Sequence, residues 1–173
     1  HGRTHGAQVG AACMRHYLGS GIEPAESAKE LKRMLPLLLA LAIADLPGRV
    51  EKDPAGQIVA VDLESTWITD ADLEKIGRIK SLRKLNLAHT KITDVGIEHL
   101  KPLVNVVELN LYYAEYITDT ALAHLRGWKK LEVLNLRGAR LTSQVFENLA
   151  QLTALRSLDI AFKDNPVFIK GLT

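Results

Sequence analysis

A phrase of about 24 residues recurs along the chain and constrains its fold more than any other feature. The segment LNLAHTKITDVGIEHL at 85–100 is preceded by VDLESTWITDADLEKI at 61–76 and followed by LNLYYAEYITDTALAHL at 109–125. Aligned by these phrases, the repeat units begin at Ile58, Leu82, Val106, Leu131 and Leu155. A fixed period of this length is typical of solenoids, in which each unit buries its apolar side against its neighbours.

Each unit divides into an extended half and a helical half. The extended half alternates apolar and polar residues, as in LRKLNL, VVELNL and LEVLNL, which predicts a short strand with one face in the core. The helical half begins with threonine and an acidic residue, as in Thr93-Asp94, because threonine is a good N-cap and a carboxylate suits the positive end of a helix. The strand leucines predicted to be inaccessible are Leu85, Leu87, Leu109, Leu111, Leu134, Leu136 and Leu158.

The period and the ITD helix starts resemble those of bacterial leucine-rich-repeat proteins with the pattern LxxLxLxxTxITDxGLxxL. The resemblance extends from about Ile58 to Ile160. It implies an α/β solenoid, with parallel strands on the concave side and helices on the convex side, and a non-enzymatic role in protein recognition. The fifth unit lacks the ITD start and contains Pro166, so we predict that it is either a terminal cap or a truncated repeat.

Three regions are predicted along the chain. They are a leader of unknown structure at 1–22, an N-terminal helical cap with a hairpin at 23–57, and the repeat array at 58–173. The apolar run 35–44 follows a basic flank and fits either a signal peptide or a helix that covers the end of the array. The lead-in to the array is similar to the helix and hairpin that precede such arrays, which favours the cap helix and slightly favours a cytoplasmic location over export. Because the chain begins at His1, we treat it as a fragment or a processed product.

Motifs and charge pattern argue against catalysis and against nucleic-acid binding. Basic and acidic residues are interleaved and the net charge is +2, so the sequence shows no basic stripe. The phosphate-loop, nucleophile-elbow and zinc-hydrolase motifs do not occur in the sequence, and no set of side chains has catalytic spacing. His99 and His124 occupy equivalent repeat positions but lack a third ligand. We therefore predict no enzyme activity, no metal, no cofactor and no integral membrane segment.

Cys13 is the only cysteine of the chain, so it can form no internal disulfide, and no structural zinc site is indicated. The surrounding GAACMRHYLGSG faintly resembles the haem attachment stretch of c-type cytochromes, which requires C-x-x-C-H. His16 and Tyr17 stand where that motif requires Cys and His. Covalent haem is therefore not predicted.

The outward strand positions form rows across the repeats, and these rows are where we expect binding residues. The central row is polar in every unit and contains Asn110 and Asn135, which fits either a structural ladder or a binding surface. A flanking row contains Tyr112 and Arg137, the residue types most often found as interface anchors. The full flanking row is Glu64, Ala88, Tyr112, Arg137 and Ala161.

The loop of the third unit has one residue more than the others and carries Tyr112, Tyr113 and Tyr116. One of these tyrosines either packs inward to fill the loop or joins an interface. Trp67 aligns with polar residues and is predicted to be exposed, whereas Trp128 aligns with apolar residues and is predicted to lie in the core. The complete predicted partner-binding set is Tyr112, Tyr113, Tyr116, Arg137, Trp67, Asn110 and Asn135.

Two functions remain open at this point. The first is a recognition module that binds another protein through the concave face of the solenoid. The alternative is a spacer or scaffold within a larger multidomain protein, whose N-terminal part carries catalysis or electron transfer.

Overall fold

The structure is a computed structural model of the chain. It describes Met34, residues 47–162 and residues 165–170, with side chains for Met34 and residues 47–161. The predictions for the leader at 1–22, for the helical part of 23–57 and for the apolar run 35–44 lie outside the described residues.

The described residues form one sheet whose strands neighbour one another in chain order. The strands between the two edges run parallel, and the edge strands pair antiparallel with their neighbours. The strands are β1 (Arg49–Lys52), β2 (Ile58–Asp62), β3 (Lys84–Asn86), β4 (Glu108–Asn110), β5 (Val133–Asn135), β6 (Ser157–Phe162) and β7 (Asn165–Lys170). Short helices connect the parallel strands, namely α1 (Asp70–Ile76), α2 (Asp94–His99), α3 (Asp119–His124) and α4 (Val145–Leu149). The predicted α/β solenoid of parallel strands and helices is confirmed.

The core consists of apolar side chains stacked from one repeat to the next. Leu85 pairs with Leu109, Leu109 with Leu134, and Leu134 with Leu158 across the parallel strands. All seven strand leucines predicted to be inaccessible are buried, with exposed fractions of 3% or less. Trp128 is also fully buried, as predicted. Because each leucine packs between two neighbours, the stability of one repeat depends on the adjacent repeats.

The ITD sequence joins neighbouring repeats as well as starting helices. Asp70 accepts hydrogen bonds from the backbone N–H of Thr93 at 2.8 Å and from its hydroxyl at 2.7 Å. Asp94 accepts the same pair of bonds from Thr118 in the next repeat. The same contact joins Asp119 to Thr142. The aspartates therefore form an inter-repeat ladder, a role beyond the interaction with the helix dipole that the sequence indicated.

The threonines after β2 and β3 bond within their own repeat. The Thr66 hydroxyl donates to the Leu63 carbonyl at 2.6 Å, and the Thr90 hydroxyl donates to the Leu87 carbonyl at 2.7 Å. Each hydroxyl therefore closes the local turn at the end of its strand.

Two hairpins flank the parallel strands. β1 and β2 are joined by a turn in which the Asp53 carboxylate accepts the N–H of Gln57 at 2.8 Å, and Gly56 supplies the positive φ of 79°. At the other end, β6 returns as β7 in an antiparallel pairing. The fifth unit therefore continues as a hairpin instead of a helix, which fits its missing ITD start. None of the helices among the described residues is long and apolar enough to cross a bilayer.

Candidate partner-binding surface

The central polar row lies in register across the sheet and closes the turn at the end of each strand. Asn110 pairs with Asn135 across β4 and β5. The side-chain oxygen of Asn110 accepts the N–H of Tyr112 at 3.1 Å, and that of Asn135 accepts the N–H of Arg137 at 3.0 Å. Asn86 accepts the corresponding bond from Ala88. Asn110 and Asn135 thus orient the two residues that follow them, while both remain half-buried on the sheet face.

In the first four units, the residue that follows the flanking-row position adopts a left-handed conformation. The equivalent residues Ser65, His89 and Tyr113 have φ values of 56°, 55° and 53°, and Gly138 has a φ of 88°. The N–H groups of the first three continue the inter-strand bonding, donating to the carbonyls of the next repeat. Their side chains are exposed. This turn places one side chain per repeat at the end of the sheet face.

An aromatic cluster occupies this end of the sheet face. The rings of Tyr112 and Tyr113 meet edge to face at 4.7 Å between centroids. His89 stacks on Tyr113 at 5.4 Å and meets Tyr112 edge-on at 5.2 Å. Tyr112 is half-buried and Tyr113 is 44% exposed. The structure therefore brings two predicted tyrosines together with His89, which sequence reasoning missed although it aligns with Tyr113 in the repeat.

Gly138 makes room for this cluster. A Cβ atom added at Gly138 would lie 3.0 Å from the Tyr113 Cα and 3.1 Å from its Cγ. The tyrosine ring thus packs directly over the glycine of the next repeat. This contact fixes the ring at the end of β4.

Gly138→Ala is expected to lower the free energy of unfolding by roughly 1–2 kcal/mol, because an L-residue is disfavoured at this positive φ and the new methyl group crowds Tyr113. Urea denaturation followed by circular dichroism measures the change. The near-ultraviolet spectrum should change as well, since the tyrosine cluster is displaced. Unchanged stability and an unchanged near-ultraviolet spectrum would show that the contact is absent.

A second row of exposed aromatic and cationic residues runs along the loops that lead from strand to helix. Lys91 lies over the Trp67 ring at 5.6 Å from its centroid, and Arg140 lies over the Tyr116 ring at the same distance. Trp67 is 85% exposed, as predicted, and Tyr116 is 46% exposed. These four residues occupy equivalent positions in consecutive repeats, so aromatic and cationic side chains alternate along the row. The additional residue of the third loop, Glu115, directly precedes Tyr116 and is exposed.

The cations in the strand-to-helix loops lack carboxylate partners, whereas a lysine on the sheet face has one. Within residues 47–161, no carboxylate forms an ion pair with Lys91, Arg137 or Arg140. On the sheet, by contrast, Lys84 pairs with Glu108 at 2.8 Å, and this hydrogen bond raises the pKa of Lys84. Lys91, Arg137 and Arg140 are therefore available to an acidic partner.

No group of three or more histidine, cysteine or carboxylate side chains within the described part of the chain has a geometry that could hold a metal ion. His99 and His124 lie at the ends of α2 and α3. The aromatic cluster and the aromatic-cationic row are therefore the surfaces on which a function can be argued.

Comparison with known proteins adds to the geometry. A leucine-rich-repeat family model matches residues 79–101. An internalin (inlF) from Listeria monocytogenes is 24% identical with a TM-score of 0.51, over 70% of this chain and 34% of the internalin. A second internalin (C2) from the same organism is 20% identical with a TM-score of 0.45, over 73% of this chain and 64% of that one. This chain thus spans about a third of the length of the first internalin. The matched repeat and the fold shared with the first internalin confirm the predicted resemblance, and the chain has the leucine-rich-repeat fold.

Proposed function

We propose that the chain is a recognition module that binds another protein through one aromatic surface. We define this aromatic surface as the cluster at the end of the sheet face together with the aromatic-cationic row, that is, His89, Tyr112, Tyr113, Arg137, Trp67, Lys91, Tyr116 and Arg140. Proteins with this fold typically serve as non-catalytic interaction scaffolds. The observation that carries the proposal is the exposure of several large aromatic rings beside cations that lack carboxylate partners.

The residue types support protein recognition. Tryptophan, tyrosine and arginine contribute most of the binding energy at many protein interfaces. Trp67 is 85% exposed, and an exposed ring of this size gains most from being covered by a partner.

The packing of the aromatic rings also supports protein recognition. Contacts within the cluster hold Tyr113 against His89 and Tyr112 before any partner arrives. Cations over Trp67 and Tyr116 restrict those two rings. Such pre-organisation lowers the entropy lost on binding.

Asn110 and Asn135 belong to the edge of the proposed site. Their oxygens are used by the backbone of Tyr112 and Arg137, so their amide N–H groups are the part that a partner can contact. Asn110 also lines a shallow polar depression on the sheet that extends to Arg49 and Lys84. A partner that covers the tyrosines would extend over this depression.

The proposal is tested with a bait and two matched variants. Partners are captured from a lysate of the source organism with the native chain, and affinities for each captured protein are then measured. We expect Trp67→Ala/Tyr116→Ala/Arg137→Ala to lose at least about 2 kcal/mol of binding free energy, because such anchors dominate interfaces. All three side chains are exposed, so folding should be retained, which circular dichroism verifies.

The control variant is Val95→Ala/Thr120→Ala/Gln144→Ala, which changes three exposed positions away from the aromatic surface. It should retain the partner with affinity within a factor of a few. Equal retention by both variants would contradict the proposal.

The alternative function is a spacer within a larger protein, and it is favoured by the fact that the aligned region makes up 34% of the first internalin. A spacer depends on its core and its repeat-to-repeat contacts alone. The triple aromatic variant would then leave the behaviour of the whole protein unchanged, while core variants would disrupt it.

A further inference from the structure

The connections that lead from each helix to the next strand stack into one edge of the solenoid. We call this the basic edge and define it as residues 77–83, 101–107, 126–132 and 150–156. Asn105 joins its own connection to those on either side, because its amide donates to the Lys80 carbonyl at 3.1 Å and its oxygen accepts from Lys130 at 2.8 Å. Lys129 donates to the Gln151 carbonyl of the following connection at 2.5 Å. The edge is therefore a continuous surface across four repeats.

The charge on this edge is almost entirely positive. All of its cations are exposed, and a single carboxylate, Glu132, accompanies them. The cations are Arg78, Lys80, Arg83, Lys101, Arg126, Lys129, Lys130 and Arg156. The sequence suggested that no basic stripe exists, because acidic and basic residues alternate along the chain. The repeat nevertheless returns every helix-to-strand connection, with its cations, to the same edge.

Five of these cations lack a carboxylate partner among the described residues. Arg78, Lys101 and Arg156 pair with glutamates. The other five contact neutral oxygens or no polar group, and they are Lys80, Arg83, Arg126, Lys129 and Lys130. None of the five forms an ion pair within residues 47–161, although the Asp53 carboxylate lines the same depression as Lys80 and Arg83.

Interaction with the helix dipoles does not explain why most of these cations lie at this edge. A cation near a helix C-terminus is favoured by the last carbonyls. Of the five cations, however, only Lys80 contacts a carbonyl at the end of the preceding helix, that of Gly77. The helices are also short, with five to seven residues each.

Carboxylates border the basic edge on both sides and make it narrow. Glu74, Glu98 and Glu147 lie on the helix side, and Glu51 and Glu108 lie on the strand side. A broad anionic surface such as a bilayer or a nucleic-acid duplex would meet these carboxylates and be repelled. A single extended chain that follows the edge would meet mainly cations, with Glu132 as the one carboxylate of the edge itself.

The basic edge has few exposed aromatic or large apolar side chains, which argues against single-stranded nucleic acid and membranes as its partner. Its one aromatic residue, Trp128, is fully buried, so no ring is available for unpaired bases to stack on. Val104 is its only exposed large hydrophobic side chain, which is too little for insertion into a membrane. We therefore propose that the basic edge binds an extended acidic segment of a partner protein, rich in Asp and Glu, at a surface separate from the aromatic surface.

The test measures the binding of a fluorescent Glu-rich peptide to the full chain at low and physiological salt. We compare Lys80→Gln/Arg83→Gln/Lys130→Gln with Arg49→Gln/Lys52→Gln/Lys75→Gln, which removes the same charge outside both the basic edge and the aromatic surface. The first variant should lower the affinity roughly tenfold, as expected for the loss of three exposed ion pairs. The second should change it less than about twofold.

Three competing ligands complete the experiment, namely a Gln-for-Glu peptide, an oligonucleotide in single- and double-stranded form, and vesicles of phosphatidylcholine with phosphatidylglycerol. The native chain should bind the acidic peptide more tightly than any of these. The proposal is overturned if the acidic peptide does not bind, if both variants lose equal affinity, or if an oligonucleotide or the vesicles bind more tightly. These outcomes do not depend on whether the aromatic surface has a partner.

Discussion

Leu109→Ala is expected to lower the free energy of unfolding by roughly 2–5 kcal/mol, the range for truncating a buried leucine. Leu109 is fully buried in β4 and pairs with Leu85 on one side and Leu134 on the other. The truncation would leave a cavity shared by three repeats, which cannot close without displacing two neighbouring strands. Urea denaturation followed by far-ultraviolet circular dichroism measures the loss.

The matched control is Val133→Ala on the neighbouring strand. Val133 is 38% exposed on the sheet face, so its truncation should cost less than about 1 kcal/mol. Equal losses for Leu109→Ala and Val133→Ala would contradict the assignment of the two faces of the sheet. They would also remove the basis for placing the flanking-row residues on the surface.

Asp94→Ala is expected to destabilise the chain by roughly 1–3 kcal/mol, because the Thr118 N–H loses its charged acceptor. Asp94 accepts from both the N–H and the hydroxyl of Thr118, at 2.8 and 2.5 Å. Loss of these bonds uncouples α3 from the preceding repeat. Amide hydrogen exchange should therefore accelerate in the first turn of α3, alongside a lower urea midpoint.

Ser143→Ala provides the control for this ladder. Ser143 occupies the position equivalent to Asp94 in the fourth unit, and the following unit has no threonine at the matching position. Its replacement should change the free energy of unfolding by less than about 0.5 kcal/mol. A loss comparable with that of Asp94→Ala would show that the first-turn residue acts on its own helix and not on the next repeat.

The fold was predictable because the period is expressed at every repeat. Leucines at fixed spacing determine which face of each strand is buried, and the register of β3, β4 and β5 follows from stacking identical units. The exposure of Trp67 and the burial of Trp128 followed from the same alignment. Alignment within a repeat protein thus predicts which side chains are buried and which are exposed.

The contacts between repeats were not predictable from the alignment alone. The sequence predicts Asp70 only as a first-turn residue of α1. The structure shows that its carboxylate also accepts hydrogen bonds from Thr93 in the next repeat. His89 reads as a single polar loop residue, yet the left-handed turn places it against Tyr113. Both depend on where adjacent loops lie in space, which a single unit does not specify.

The placement of charge depends on the same stacking of repeats. Lys80 and Lys130 are far apart in sequence. The repeat brings them to a common edge, joined through Asn105. In a solenoid, charge is better assessed at equivalent repeat positions than along the chain.

The most direct test of protein recognition by the aromatic surface is site-specific photo-cross-linking. A photoreactive phenylalanine is placed at Tyr116 in the aromatic surface or at Val95, which is 58% exposed on α2. Both variants are irradiated in a lysate of the source organism, and the adducts are identified by mass spectrometry. The proposed function predicts a specific protein adduct from position 116 and none from position 95. The same adducts from both positions, or none from position 116, would contradict it.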